Sequence, residues 1–439
     1  MRTAFLALVV FTLIAGDAWR YTIGWLGWGI LVGLIALASV ALLVVSRKTI
    51  TYSLLPSALL AFLLLAVLST AWSFYPGATA LGATTTVMTA LGAISVAITF
   101  RWHEIVRGLG LAMRFVLGLS ILFELFVAVF VRAPLLPIVA QPGVDYANLP
   151  DRIPAMLFWS RNELFELFDG GKLQGILGNS ALLSFAALVG IIVFALQLAG
   201  GEIRRSSGIF WLAVAGFDFV ASRSATNIIG LVAVAAVTIA VLLVRRAATA
   251  RMRALTYGGI AAAILAAAAA GVLFWGSILR LLGKSDDLTN RTEIWHSVIG
   301  LAQQRPTFGW GWVSYWVPWV EPFTDLAKNN GIRQLHAHNA WLDVWFQLGV
   351  VGVVIFGALV LSTLTRSWWF AVDRPRTGSG APGAFAAVSL LPLLLVVALL
   401  VQSFAESRIL VEFGFFALVL SAVITKARAQ SLPSHGSLG

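Results

Sequence analysis

Few side chains in this sequence can move a proton or grip an anion, and several fall close together. Leu335-His336-Ala337-His338-Asn339-Ala340-Trp341-Leu342-Asp343 brings two imidazoles, a carboxamide and a carboxylate into one short stretch. An imidazole is the side chain best matched to taking a proton from a hydroxyl near neutral pH, and Asn339 or Asp343 is placed to orient it. The same His-x-His with a carboxylate can instead hold zinc or another divalent ion, and one histidine can simply cap a helix. His338 adjoins the helix start at Trp341 and is fixed by it, whereas His336 points the other way if the chain there is extended. Asp286-Asp287 is a weaker metal candidate, since adjacent acids in a loop are usually solvated.

Two arginines supply the complementary chemistry. Arg223, in Ser222-Arg223-Ser224, carries the planar fork that pairs bidentately with phosphate oxygens. Arg291 follows Asn290, which with Glu293 three residues on reads as a helix start, so its charge would add to the anion-binding end of that helix. Together they suit a diphosphate. Charges in apolar surroundings cost about 2.5–3.5 kcal/mol each on insertion scales, which draws notice to Arg114, Glu124, Asp218, Asp343, Glu406 and Glu412 as well. For Arg114, Glu124 and Glu412 an interhelical pair or a snorkelling end residue is explanation enough.

The elements that must position these groups are membrane helices. Of 439 residues 59% are hydrophobic and only 11% charged, far from the balance of soluble domains. The long runs of Ala, Leu, Val and Ile lack the period-two alternation of a barrel, which leaves an all-α, polytopic integral membrane protein. Absence of cysteine excludes disulfides and thiol chemistry. About twelve apolar stretches suit transmembrane helices: 5–16, 24–45, 53–72, 80–100, 109–131, 175–199, 209–220, 227–244, 257–275, 341–364, 384–401 and 409–424. With the N-terminus inside, sixteen of the thirty Lys and Arg collect on inner connections, among them Arg2, Arg101, Arg107, Arg245 and Arg253, so both ends are expected to be cytoplasmic.

The expected division is helices 1–5 over 1–131, a first long outer loop over 132–174, helices 6–9 over 175–275, a large catalytic outer loop over 276–340, helices 10–12 over 341–429, and a cytoplasmic tail over 430–439. Within the large loop Ile294, Trp295, Val298, Leu301 and Ala302 recur at helical spacing before Pro306 and Gly309. That predicts an amphipathic helix on the outer membrane surface between helices 9 and 10. Trp295, Trp310, Trp312, Trp316, Trp319, Trp341 and Trp345 cluster there, and an interfacial aromatic belt is favoured over sugar stacking.

These motifs resemble a known family. Asp287-Leu288-Thr289-Asn290-Arg291-Thr292-Glu293-Ile294-Trp295, Arg305-Pro306-Thr307-Phe308-Gly309-Trp310-Gly311, His338-Asn339-Ala340-Trp341-Leu342-Asp343 and Gln347-Leu348-Gly349-Val350-Val351-Gly352, in this order, look like the O-antigen ligase and polymerase family. Ser222-Arg223-Ser224-Ala225 and Gln174-Gly175-Ile176-Leu177-Gly178-Asn179 are similar to its earlier motifs, although Ser180-Ala181 replaces an asparagine-bearing stretch and Asn290 stands where glycine is common. The resemblance implies a membrane glycosyltransferase taking a glycan from undecaprenyl diphosphate to an acceptor sugar hydroxyl at the outer face of the bacterial cytoplasmic membrane. It implies His338 as general base and Arg223 and Arg291 as diphosphate binders, with His336, Asn339 and Asp343 expected from the local sequence as supporting residues. Arginines can stabilise the leaving diphosphate without a metal, so no metal and no cofactor is expected, and attack opposite the leaving group predicts inversion. Expected partners are the lipid-linked donor, a glycan or lipid-linked acceptor and membrane lipids, with no nucleic acid. Polymerase and ligase remain open, and a glycan flippase or other transporter is the non-catalytic alternative; that would place its key charges near mid-membrane, often in two related halves, and no internal repeat is visible.

Overall fold

The computed structural model describes residues 2–46, 54–141, 144, 146, 153–274, 287–324, 326–329, 332–373 and 385–430. Asp286, Asp145 and Thr377 lie outside them. Thirteen α-helices occur among the described residues: α1 (Arg2–Ile14), α2 (Gly16–Val45), α3 (Ser57–Leu68), α4 (Pro76–Thr99), α5 (Trp102–Phe126), α6 (Ser180–Ala199), α7 (Arg205–Ala221), α8 (Ala225–Arg246), α9 (Ala250–Leu273), α10 (Asp287–Gln304), α11 (Ala340–Val372), α12 (Leu391–Ser403) and α13 (Glu412–Gln430). Each of the twelve apolar stretches falls on one of them, and α10 is the amphipathic thirteenth. Seven helical spans, on α2, α4, α5, α6, α8, α9 and α11, are long and apolar enough to cross a membrane, and three more apolar segments are shorter. The chain is an all-α, multi-pass membrane protein. Among the described residues strand is confined to a hairpin of two short strands, Lys328–Asn329 with Ile332–Arg333, in the large loop.

The helices pack as neighbours in a bundle: α1 on α5, α5 on α6, α6 on α7, α8 on α12, and α13 between α4 and α11. α6 is the most enclosed span, whereas α9 buries none of its apolar window in the protein. Charged contacts separate into two ends. One end gathers Arg2 with Glu104, Arg107 with Glu202 and Arg253 with Asp373. The other gathers Asp17, Arg20, Arg408 and Glu412, where Glu412 accepts from Arg20 at 2.9 Å and Arg408 at 2.7 Å. That network is the interhelical pairing expected for Glu412. Arg114 makes no ion pair to a described residue, and its Nε is buried without a partner.

α11 is broken at Gly349, whose φ of +65° belongs to the left-handed region. A Cβ there would lie 2.2 Å from the carbonyl of Thr307, so only glycine admits the approach. The backbone groups freed by the break are taken by the preceding loop. Val350 and Val351 donate to the carbonyls of Pro306 and Thr307 at 2.8 and 3.2 Å, while Trp310 and Gly311 donate to those of Phe346 and Gln347 at 3.1 and 2.9 Å. The Gln347 side chain adds bonds from the amides of Val313 and Ser314 at 2.9 and 3.0 Å. The Arg305–Gly311 and Gln347–Gly352 motifs are therefore two sides of one joint that seats the large loop on α11.

Among the described residues α10 already runs at Asp287, one turn ahead of the start expected at Asn290, so Asn290 lies inside the helix. Its apolar stripe also faces protein. Ile294, Val298 and Ala302 are buried with Trp316, Phe323, Ala337 and Phe346 in a second core separate from the main bundle. The tryptophans expected as an interfacial belt mostly act as hydrogen-bonded pins instead. Trp312 and Trp316 are fully buried, and Trp319 stands 68% exposed. Indole N–H groups bond Trp295 to the Ala337 carbonyl at 2.9 Å, Trp312 to Thr86 at 2.9 Å and Trp341 to Ser403 at 3.0 Å. A buried indole must find an acceptor, and these acceptors fix the loop that carries both histidines.

Candidate functional site

The site lies at the end of the bundle that holds the Arg20–Glu412 network. Asn339 adopts extended backbone and its Oδ1 accepts from the amides of Trp341 and Leu342 at 3.0 and 3.3 Å, capping α11. Asp343, one turn in, is fully buried and accepts from Trp316 Nε1 at 2.9 Å, from the Ala337 amide at 3.1 Å and from the Ser407 hydroxyl. Neither residue touches the ring of His338, so the orienting role expected of them is not direct. They hold the backbone on both sides: Asp343 grips Ala337, between the histidines, and Ser407, beside Glu406.

His338 has a φ of +50°, left-handed and strained for a residue with a Cβ. This turn overturns the expectation that the two histidines diverge. His338 N–H donates to His336 Nδ1 at 3.0 Å, and the ring centroids are 4.0 Å apart. The acceptor role of Nδ1 leaves the neutral His336 protonated on Nε2, which sits 3.9 Å from Glu406 Oε2. Burial, and after it the charge of His338, lowers His336 well below the usual histidine range, so it stays neutral near pH 7.

Glu406, just past α12, joins both halves of the site. Its Oε2 lies 3.1 Å from His338 Nδ1 and its Oε1 accepts from Arg291 Nη2 at 3.2 Å. Burial alone would push this carboxyl up. The His338 charge and hydrogen bond, then His336 and Arg291, outweigh burial and hold it well below the usual carboxylate range. A carboxylate on Nδ1 keeps the proton there and leaves Nε2 as the reactive nitrogen. Nε2 is 3.1 Å from Gln334 Oε1, also an acceptor, so the imidazolium satisfies both contacts at once. Once Nε2 loses its proton, the Gln334 carbonyl oxygen must turn away, and a hydroxyl can take its place.

Beyond Glu406 opens a cavity of about 120 Å³ lined by Lys172, Arg223, Arg291, Glu406 and the starts of α6 and α8. The structure thus brings together the two arginines singled out from sequence, 68 residues apart. Arg223 also has a left-handed φ of +50°, at the turn between α7 and α8, and its guanidinium bonds the Leu167 carbonyl. The Ser224 N-cap of α8 makes no side-chain cap, and Ser224, Thr226 and Asn227 of that helix start line the cavity. α6 is aimed at the same place by a carboxylate in α5. Glu124 accepts from the amides of Gln174 and Gly175 at 3.0 and 2.7 Å and from Ser160 at 2.7 Å. Its partners are therefore a loop backbone and a hydroxyl rather than the cation of an interhelical pair. Asn179 then caps α6 through Ala181 and Leu182 at 2.8 and 3.2 Å. Three cations against one carboxylate, with helix N-termini behind them, make an anion site.

His336, His338 and Glu406 also bring possible ligand atoms within 4.8 Å of one another, enough for three ligands to a divalent ion. Arg291 already places a positive charge on that carboxylate, and the His336 Nδ1 is taken by a backbone amide. Both features disfavour a second cation.

The site thus sets an anion cavity, a carboxylate and a paired imidazole together at one end of a multi-pass helical membrane protein. Residues 208–357 match the protein family described as O-Antigen ligase, in agreement with the motif resemblance. No curated protein matches the chain. The family comprises glycosyltransferase-like ligases and polymerases, with lipid-linked glycans as substrates. The matched segment carries Arg223, Arg291, His336 and His338, whereas Lys172 and Glu406 lie outside it.

Proposed function

We propose that this protein transfers a glycan from a polyprenyl-diphosphate donor, undecaprenyl diphosphate in a bacterium, to an acceptor sugar hydroxyl at the outer face of the cytoplasmic membrane. The observation that carries the proposal is the continuity of the site: Glu406 touches the base candidate His338 on one side and the cavity arginine Arg291 on the other. The diphosphate occupies the cavity against Arg223, Arg291, Lys172 and the α8 N-terminus. The acceptor hydroxyl displaces Gln334 from His338 Nε2 and gives it the proton. Its oxygen bonds to the anomeric carbon as the bond from that carbon to the diphosphate oxygen breaks, and the electron pair leaves with the diphosphate. Positive charge on the imidazole is matched by Glu406, and negative charge on the leaving group by the arginines. Attack opposite the leaving group inverts the anomeric centre. The arginines do the work a metal would do, so the reaction runs without one.

The transport alternative requires a broken helix whose open backbone ends receive the substrate near mid-membrane. The break in α11 is instead closed by Pro306–Gly311 backbone, beside the break in α2 at Gly24 the Tyr21 carbonyl accepts from the Val139 amide at 3.0 Å, and the charges cluster at one end. The test is transfer by the purified protein from a defined undecaprenyl-diphosphate glycan, with a second lipid-linked repeat and a lipid A core offered separately as acceptors. Product in one arm identifies a polymerase or a ligase. No product in either arm, with donor movement across proteoliposomes, would favour the transporter.

A further inference from the structure

One side chain in the cavity has no side-chain partner among the described residues. Gln402, in the last turn of α12, is 3% exposed, and among the described residues both its Oε1 and its Nε2 are buried without a hydrogen bond. Its backbone carbonyl is occupied, accepting from the amides of Ala405 and Glu406 at 2.9 and 2.8 Å. Gln402 lines the same cavity as Arg223, Arg291 and Glu406. A buried donor and acceptor left unmet are costly, so an unpaired carboxamide beside an otherwise built site points to a ligand.

The kind of ligand follows from hydrogen-bond polarity. A diphosphate offers acceptors only, which suits guanidinium, ammonium and helix amides but repels a carbonyl oxygen. Gln402 needs one group that accepts from Nε2 and donates to Oε1. Glu406, one helical turn further along the chain, likewise needs a donor on any oxygen it turns to the cavity. A sugar hydroxyl supplies both functions at one atom, and an acetamido group carries both, with its N–H and carbonyl oxygen pointing opposite ways so that one of them meets the carboxamide. The cavity therefore has a phosphate wall and a sugar wall. Because Gln402 shares a small space with both arginines, the sugar atoms within its reach are those beside the glycosidic phosphate.

We propose that Gln402 reads the C2 substituent of the first donor sugar, a hydroxyl or acetamido group that both donates and accepts, and so sets donor specificity. The proposal rests on the donor reading given above and adds to it a contact outside the matched domain. It concerns recognition and assigns Gln402 no part in proton transfer.

The test compares three lipids on the purified full-length protein by intrinsic tryptophan fluorescence: undecaprenyl diphosphate, the same lipid carrying N-acetylglucosamine, and the same lipid carrying 2-deoxyglucose. The unmutated protein is expected to bind the N-acetylglucosamine lipid at least tenfold more tightly than the 2-deoxy lipid. Gln402→Met, close in length and volume, should erase the margin while binding bare undecaprenyl diphosphate within twofold of the unmutated protein. A margin that survives in Gln402→Met overturns the assignment. So does loss of bare-lipid binding in that variant, which would make the side chain structural. Bare lipid bound with no sugar margin in the unmutated protein overturns this inference alone, whereas failure to bind any of the three lipids overturns the donor reading and this inference with it.

Discussion

Replacing Glu406 with glutamine separates the charge of the carboxylate from its shape. In the site this carboxylate lies 3.1 Å from His338 and 3.2 Å from Arg291. At a charge separation of about 4 Å and an effective dielectric of about 20, it stabilises an imidazolium by about 4 kcal/mol. Glutamine keeps a hydrogen bond to Nδ1, worth about 1 kcal/mol, and the 13% and 21% exposure of the Glu406 and His338 side chains screens part of the rest. What remains is about 2 kcal/mol or a little more, all of it expressed when the base takes up the acceptor proton. At about 1.4 kcal/mol per decade, Glu406→Gln should lose roughly thirty- to a hundredfold in single-turnover transfer. Donor binding moves the other way or not at all, because the substitution removes an anion from the phosphate wall and releases Arg291. The assay is single-turnover transfer of labelled donor in detergent, paired with lipid binding on the same preparation. Turnover within fivefold of the unmutated protein would refute the pairing of base and carboxylate. Loss of lipid binding in step with turnover would show that Glu406 holds the fold and does not tune the base.

Four further outcomes follow from named contacts. His338→Ala should abolish transfer and leave donor binding nearly intact, while His336→Ala should lose only part of the activity; a dead His336→Ala beside an active His338→Ala would reassign the base. Arg223→Lys and Arg291→Lys keep charge but not the planar fork and should each lose at least tenfold in transfer, with the remaining activity of the unmutated protein unaffected by excess EDTA. Gly349→Ala forces a Cβ against the Thr307 carbonyl at a left-handed position and should cost about 3 kcal/mol or more, read as loss of detergent-extractable folded protein. His336, depressed when folded, binds fewer protons than in the unfolded chain at any pH between its two pKa values, so stability should fall as pH drops below about 6.5, and His336→Gln should flatten that slope in thermal melts.

The fold was largely legible because lipid demands long apolar runs, and every run that sequence marks lies on a helix. What composition could not show was which apolar faces meet protein. Ile294, Val298 and Ala302 have the spacing of a surface helix, and the same spacing serves a helix packed on Trp316 and Phe346. Trp312 and Trp316 looked interfacial because tryptophan is common at that depth; their burial depends on Thr86 and Asp343, partners far away in sequence. The break at Gly349 was similarly hidden, since Gln347-Leu348-Gly349-Val350-Val351-Gly352 reads as an ordinary membrane segment until the Pro306–Gly311 backbone is laid against it.

The candidate site divides along the same line. His338, Arg223 and Arg291 stand in motifs, and sequence names them without saying what couples them. Glu406 stands in no motif. Its one signal was a charge close to an apolar stretch, a signal it shares with Glu124 and Asp218. Glu124 turns out to hold the loop before α6 by its backbone amides, and Asp218 is buried with no partner among the described residues. Burial cost alone therefore cannot rank such carboxylates; what distinguishes Glu406 is the company of an imidazole and a guanidinium, each on a different element. That arrangement also explains why one carboxylate suffices at the junction. A base that gains positive charge and a leaving group that gains negative charge need opposite environments within a few ångströms. Glu406 supplies the first directly, while Arg291, held at its other oxygen, supplies part of the second.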